Sequence, residues 1–105
     1  MTSRSLLIKQ LPCIACTLSK VKQVSATESH HQNKFGLAGK ERLGDHAQVP
    51  LCQWHHRAVV PLGQSGKLMR SIFGPSLAGE PKAFRSVFGT DQDLLQLTNK
   101  QLAAM

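Results

Sequence analysis

Four metal-binding side chains, arranged as two pairs of equal spacing, constrain this chain more than any other feature. Cys13 and Cys16 form a C-x-x-C pair, and Cys52 and His55 repeat the same gap with a thiolate and an imidazole. Two side chains at this spacing in a tight turn can bind one ion, with sulfur at about 2.3 Å, and Cys3His is a common closed, tetrahedral set for structural zinc. The sequence therefore predicts a structural Zn²⁺ that joins two distant parts of the chain.

The length and the cysteine count agree with a structural metal. A chain of 105 residues with four Phe and one Trp buries only a modest core, and a bound ion adds folding free energy. Three cysteines are an odd number, which argues against a disulfide framework. Two alternatives remain at this point: the cysteines are small buried apolar side chains, or C-x-x-C is a redox pair, although no thioredoxin-like βαβ pattern surrounds it.

The positive charge lies in the same part of the chain as the metal-binding residues. The formal net charge is +7; residues 1–70 hold ten Lys or Arg and three Asp or Glu, whereas residues 71–105 hold three of each. A basic region favours a polyanionic partner such as DNA. Four cations flank the motifs and are candidate phosphate contacts, with a solvated basic surface as the alternative for each: Lys34, Lys40, Arg42 and Arg57.

Membrane and export signals are not expected in this sequence. No segment approaches the roughly 20 apolar residues that a membrane span needs. Lys9 interrupts the short apolar run at residues 6–8, which is untypical of a signal peptide. We therefore expect a cytoplasmic protein, without a membrane partner and of undetermined oligomeric state.

The pattern of apolar and turn-forming residues predicts one α+β domain over residues 1–105, with a core at about 10–60. The stretch from Val21 favours β-structure and ends at His31, and Ala47–Leu51 is predicted as a brief strand that Pro50 confines to an edge or a bulge. A short helix is expected from Cys52 to about Val60. Residues 61–79 are expected to form a loop with at most a short helix.

Two C-terminal helices are predicted at about residues 80–103. Pro81 suits a first helical position and Gly89 a helix end. Thr90 and Asp93 form a capping-box pattern that opens the second helix. The first helix is expected to present four apolar residues on one face: Ala83, Phe84, Val87 and Phe88.

Four histidines are not used by the predicted zinc site: His30, His31, His46 and His56. Solvated histidines are common, but His30 and His31 are adjacent at a predicted strand end, and His56 follows a predicted zinc ligand. Neutral imidazole binds divalent metals and is a capable general base near its usual pKa of about 6.5. This grouping favours a second, catalytic metal site beside the structural one.

In this order the motifs resemble the HNH, or His-Me finger, endonucleases. The matching pieces are Cys13-Ile-Ala-Cys16, Ser29-His30-His31, Asp45 and the segment Val49-Pro-Leu-Cys-Gln-Trp-His-His-Arg57. Within that family the chain is most similar to small phage-type nucleases with paired His-His motifs and a PLCxxHH segment, among them the RecA-dependent recombination-enhancement nucleases. The similarity extends into a weaker tail pattern: Gly79-Glu80, Phe84, Gly89 and Asp93-Leu94-Leu95.

The resemblance implies a ββα-metal core with a zinc knuckle, followed by two short C-terminal helices. It assigns His30 and His56 to a catalytic divalent metal and His31 to the general base, although the sequence leaves open which of His30 and His31 is the base. The family usually has Asp where this chain has His30. Because imidazole is a softer ligand than carboxylate, Mn²⁺ or Zn²⁺ is plausible there as well as Mg²⁺.

The middle position of the motif, commonly Asn in the family, has no clean match. Asp45 is the preferred candidate, with His46 as the alternative, and Asn33 is set aside because it lies so close in sequence to the histidine pair.

The function implied by this resemblance is hydrolysis of DNA phosphodiester bonds by a metal-dependent endonuclease, in phage recombination or DNA processing. Two alternatives stay open. One is a zinc-stabilised DNA-binding or adaptor module without catalysis, which gives the extra histidines no role. The other is an enzyme that acts only with a partner, such as a recombinase filament on single-stranded DNA.

Overall fold

The computed structural model describes residues 3–33 and 43–105 of the chain. In these ranges the elements follow one another as α1 (Ser3–Gln10), α2 (Ile14–Ser19), β1 (Thr27–His31), a 3-10 turn (Asp45–Ala47), β2 (Gln48–Cys52), α3 (Gln53–Arg57), α4 (Gly66–Phe73), α5 (Pro81–Phe88) and α6 (Asp91–Ala103). No helix in the described ranges is long and apolar enough to cross a membrane. The α+β class is confirmed.

The two strands form an antiparallel pair, and helix α3 begins directly after the second strand. Thr27 lies opposite Cys52, and His31 lies opposite Gln48. Side chains alternate across a strand, so one face of β1 carries Glu28 and His30. Both of these contact α3 side chains, and β1 also packs against α1. The order strand, strand, helix is therefore the two-strand-plus-helix arrangement expected from the sequence.

Two local details differ from the sequence expectations. Strand β1 starts at Thr27 rather than Val21 because the Gln23 side chain bonds the backbone of Cys13 at 2.6 Å and of Ser25 at 2.7 Å, which competes with strand pairing. Helix α3 ends at Arg57 because Ala58 adopts a left-handed conformation with φ 58°.

Helices occur in two places for which the sequence analysis predicted no helix bounds. Residues 3–10 and 14–19 are helical at the N-terminus, and α4 occupies the middle of the stretch expected to be mainly loop. Ser65 caps α4 by accepting a hydrogen bond from the Leu68 amide at 3.0 Å.

The C-terminal helices match their predicted bounds closely. Pro81 begins α5, and the Thr90–Asp93 capping box is present with both of its hydrogen bonds. One side-chain expectation is wrong, because Val87 is 60% exposed while Phe84 and Phe88 are buried. The apolar face of α5 is therefore narrower than the sequence suggested.

A single buried cluster joins the beginning of the chain to its end. It contains the three cysteines together with residues from strand β2 and from helices α2 to α6: Ile14, Ala15, Val49, Leu51, Trp54, Met69, Phe73, Phe84, Phe88 and Leu94. The C-terminal helices thus pack on the same core as the metal-binding residues.

Candidate functional site

A buried Cys3His group lies where α2, β2 and α3 meet. The sulfur atoms of Cys13, Cys16 and Cys52 and a ring nitrogen of His55 all lie within 4.8 Å of one another. It is the one group of at least three His, Cys, Asp or Glu side chains gathered in this way within residues 3–33 and 43–105. This group could hold a metal ion.

The distances within this group suit a tetrahedral ion. His55 Nδ1 lies 3.5 Å from Cys13 Sγ and 3.3 Å from Cys52 Sγ, and the Cys16 and Cys52 sulfurs are 3.9 Å apart. Ligand bonds of about 2.3 Å to sulfur and about 2.0 Å to nitrogen give tetrahedral edges of about 3.8 Å between sulfurs and about 3.5 Å between sulfur and nitrogen. These three separations match the edges that such an ion requires.

A hydrogen bond outside the group sets the tautomer of His55. Its Nε2 lies 2.8 Å from the carbonyl oxygen of Phe73. A carbonyl only accepts hydrogen bonds, so Nε2 carries the proton and the lone pair is on Nδ1, which faces the three sulfurs. The ring is fully buried and packs edge-on against Phe88, with a centroid separation of 5.2 Å.

The electrostatics of the three thiols also favour a cation. Hydrogen bonds to Cys13 and Cys52, together with burial, raise the pKa of Cys16. Three adjacent buried thiols cannot all ionise without a positive charge to compensate them. A divalent ion at the centre of the group supplies that charge.

A second group of histidines lies on the other side of α3, at an open surface. The rings of His30, on β1, and His56, on α3, are 5.0 Å apart between centroids and meet edge-on. His56 is the residue after His55, and successive residues point about 100° apart around a helix of 3.6 residues per turn. One short helix therefore sends His55 into the core and His56 to the surface.

Two neighbouring clefts open over this histidine pair. The first, of about 260 Å³, is lined on the core side by His30, Asn33, His56 and Arg57, and on the tail side by Leu77, Ala78, Pro81 and Arg85. The second, of about 340 Å³, is lined by Ser29, His30, His31, Asn33 and His56. The clefts bring together all three histidines that the sequence analysis proposed for catalysis.

Glu28 links His56 of the histidine pair to Arg57. Its carboxylate lies 3.0 Å from His56 Nδ1 and accepts two hydrogen bonds from Arg57, at 2.8 Å from Nε and 2.6 Å from the terminal nitrogen. The hydrogen bonds from Arg57 lower the pKa of Glu28, so the carboxylate is charged at neutral pH. It therefore accepts a hydrogen bond from the N–H at His56 Nδ1, which leaves Nε2 of that ring as the acceptor.

His30 is partly buried, like His56. Burial, with a smaller contribution from His56, lowers the pKa of His30 to about 4. At neutral pH its imidazole is uncharged and has a lone pair available for a ligand.

The structure describes only some of the other predicted site residues. Arg57 lines the first cleft and also a third one of about 460 Å³ toward Lys9. Asp45 begins the 3-10 turn directly before β2, but its side chain lies outside the described part of the chain. The predicted phosphate contacts Lys34, Lys40 and Arg42 lie outside the described residues as well.

Three residues of the cleft region were missed by sequence reasoning. Asn33 had been set aside as too close to the histidines, yet it lines both clefts with them. Glu28 and Arg85 belong to none of the motifs. Arg85 is far from the histidines in sequence and reaches them only because α5 packs near β1 in the folded chain. The Glu28-Ser-His-His spacing, which places Glu28 and His30 on one face of a strand, was the one available signal for Glu28.

Comparison with known protein families assigns the chain. The family model described as "Recombination enhancement, RecA-dependent nuclease" matches residues 2–103, almost the full length. The chain belongs to this family. Its members are described as nucleases of recombination enhancement that depend on RecA, so the resemblance at that level is confirmed. No solved structure matches the chain.

Proposed function

We propose that this member of the family is an HNH-type, metal-dependent DNA endonuclease whose fold is held by a structural zinc ion. The observation that carries the proposal is the placement of His30, His31 and His56 around one open cleft, on a strand-strand-helix unit whose other side carries the Cys3His group. The proposed zinc site and the proposed catalytic site thus lie on different sides of α3.

Zinc is the ion that best fits the buried group. Three thiolates and one imidazole form a closed set without an open position for substrate, which is the pattern of structural zinc. Its role in the proposal is to hold α2, the end of β2 and α3 together.

In the cleft, we assign His30 and His56 as ligands of a catalytic divalent metal, which is Mg²⁺, Mn²⁺ or Zn²⁺. When bound, this ion would polarise the scissile phosphate and offset the charge that develops on the leaving oxygen. Glu28 keeps the proton of His56 on Nδ1, so that Nε2 faces the cleft.

His31 is the proposed general base. It takes a proton from a water molecule whose oxygen forms a bond to phosphorus while the bond from phosphorus to the 3′ oxygen breaks. The products are a 5′-phosphate and, after the leaving oxygen takes a proton from solvent, a 3′-hydroxyl. Asp45 is the proposed middle residue of the motif, and Arg57 the proposed contact to a backbone phosphate.

The family description also supports a partner. We propose that the DNA substrate is presented by a recombinase filament on single-stranded DNA, so that plain duplex DNA is a poor substrate. The experiment is therefore a nicking assay of supercoiled plasmid with Mg²⁺ or Mn²⁺, with and without a filament formed on a complementary oligonucleotide. Nicking by the wild type in the presence of the filament is the expected result.

Variants in the same assay test the assigned roles. His31→Ala is expected to lower the rate by about 10²- to 10⁴-fold, the usual contribution of a general base. Asp45→Ala and His46→Ala are compared side by side, and loss only with the first supports Asp45 as the middle residue. A zinc-loaded, folded wild type that binds DNA but never cleaves it, with any metal or filament, would refute the nuclease proposal and favour the non-catalytic DNA-binding module.

A further inference from the structure

Helix α5 belongs to the neutral C-terminal part of the chain, yet it forms a wall of the histidine cleft. Arg85, in its second turn, lines this cleft together with His30 and His56. Pro81, the first residue of the same helix, lines it as well. The tail therefore contributes to the cleft surface besides packing on the core.

We infer that Arg85 contacts a backbone phosphate of DNA bound in this cleft, so that α5 is part of the substrate-binding surface. This inference rests on the proposed function, because it takes the histidine cleft to be where DNA binds. Arg85 lies outside the HNH motifs. It lines the same cleft as Arg57, the cation that the motifs supply.

Asp91 holds the guanidinium of Arg85 in one orientation. Its Nε donates to Asp91 Oδ1 at 2.9 Å, and a terminal nitrogen lies 3.5 Å from Asp91 Oδ2. The Arg85 side chain is 28% exposed. Gln32, the residue after His31, donates to the backbone oxygen of Asp91 at 2.6 Å, which ties this ion pair to the end of β1.

Arg85 retains donors for a ligand. A guanidinium has five N–H groups in a rigid plane, and the contacts with Asp91 engage Nε and one terminal nitrogen. The remaining bond, from the other terminal nitrogen to the Pro81 carbonyl, is long at 3.4 Å. A phosphate in the cleft can accept from these terminal N–H groups while Asp91 keeps the group in place.

A second arginine in the cleft is arranged in the same manner. Arg57 is bound along its Nε side by Glu28, as Arg85 is by Asp91. Arg57 lies on α3 and Arg85 on α5, and both line the first cleft with the His30–His56 pair. Two oriented guanidinium groups around a proposed metal site suit a chain of phosphates that passes over it.

The test is DNA binding as a function of salt, measured by fluorescence anisotropy with a labelled duplex and a labelled single strand, without added Mg²⁺ or Mn²⁺. Arg85→Gln is expected to weaken binding about 10- to 100-fold, as removal of a charged hydrogen bond does. The slope of log affinity against log salt should fall by about one unit, which is the signature of one lost phosphate contact.

Two control variants separate a phosphate contact from other effects. Arg70→Gln removes one positive charge from α4, where Arg70 forms an exposed ion pair with Glu80 at 2.6 Å, and lines none of the three clefts described here. Asp91→Asn breaks the Arg85–Asp91 ion pair but keeps the cation. Both variants are expected to keep the salt slope of the wild type.

The outcomes discriminate between the explanations. Equal losses for Arg85→Gln and Arg70→Gln would show a general charge effect and overturn the inference. An equal fall of the salt slope in Arg85→Gln and Asp91→Asn would show a structural role of the ion pair and overturn the inference too, because Asp91→Asn keeps the cation. A wild type that cleaves DNA normally while Arg85→Gln binds with an unchanged slope would refute the inference alone. A wild type that binds neither form of DNA, whether free or within a recombinase filament, would refute the proposed function with it.

Discussion

His55 and His56 are neighbours on one short helix, yet they lie in opposite environments. His55 is fully buried, with its Nδ1 facing three sulfur atoms and its Nε2 bonded to a backbone carbonyl. The His56 side chain is 22% exposed, bonded to a carboxylate and open to a cleft. The same side chain type thus lies in two different environments because the helix turns by about 100° between the two positions.

Under the proposed function, the two environments separate stability from activity. The buried side has every ligand supplied by the protein and is surrounded by aromatic rings, which leaves no position for substrate. The open side has three imidazoles around a cleft of about 340 Å³, which leaves room for water, metal and phosphate. Changes on the first side should act on folding, and changes on the second side on catalysis.

The largest expected effect is the loss of a ligand from the buried side. Cys52→Ser should abolish zinc binding and cooperative unfolding, because structural zinc contributes about 10 kcal/mol or more of apparent binding free energy in small zinc domains. Zinc content per chain and thermal unfolding by circular dichroism measure this. The reference is wild type stripped of zinc by a chelator, which should lose its transition and regain it when zinc is restored. A Cys52→Ser variant that unfolds like the zinc-bound wild type would contradict the account.

The next effect concerns the packing between the buried side and the tail. Phe84 is 1% exposed, and its ring centroid lies 6.4 Å from that of His55. Phe84→Ala should lower the free energy of unfolding by about 3–5 kcal/mol, as truncation of a buried Phe does. Val87→Ala on the same helix is the control and should change it little, since Val87 is 60% exposed. Similar denaturant midpoints for the two variants would contradict a stabilising contact between the C-terminal helices and the buried side of α3.

The smallest effect, which acts on the open side, follows from Glu28. Glu28→Gln should weaken Mn²⁺ binding in the cleft and slow cleavage by about 10- to 100-fold, the usual cost of losing a carboxylate that orients a metal-binding histidine. Zinc content should stay at the wild-type level. Glu80→Gln is the control, because Glu80 also pairs with an arginine but lines none of the three clefts. Loss of zinc on Glu28→Gln, or equal Mn²⁺ affinity in both variants, would contradict the separation of the two sides.

The features that the sequence predicted correctly depend on the spacing of residues close together in the chain. The Cys3His group follows from two pairs with the same two-residue gap, and the α6 capping box follows from Thr90 and Asp93 three residues apart. Both depend on short-range spacing, which the chain carries directly. Helix α1 had no such signal, because its apolar residues 6–8 are consecutive and two of them, Leu6 and Leu7, are exposed.

Residues that enter a site through tertiary packing could not be found from spacing. Arg85 reaches the cleft because α5 packs on the cluster that surrounds His55, and its own neighbours in sequence carry no motif. Residues 71–105 hold as many Asp and Glu as Lys and Arg, so their charge gave no indication of a phosphate contact there. Charge balance describes a whole segment, however, and does not show which side of a helix faces a cleft.

The most direct test of the account compares His55→Ala with His56→Ala in one experiment. Zinc per chain is measured by atomic emission, and plasmid nicking is measured with the recombinase filament present. His55→Ala should lose both zinc and folded structure. His56→Ala should keep one zinc and a near wild-type melting temperature while nicking falls by 100-fold or more, about 3 kcal/mol in transition-state free energy. Retention of zinc by His55→Ala, or normal nicking by His56→Ala, would contradict the division of roles across helix α3.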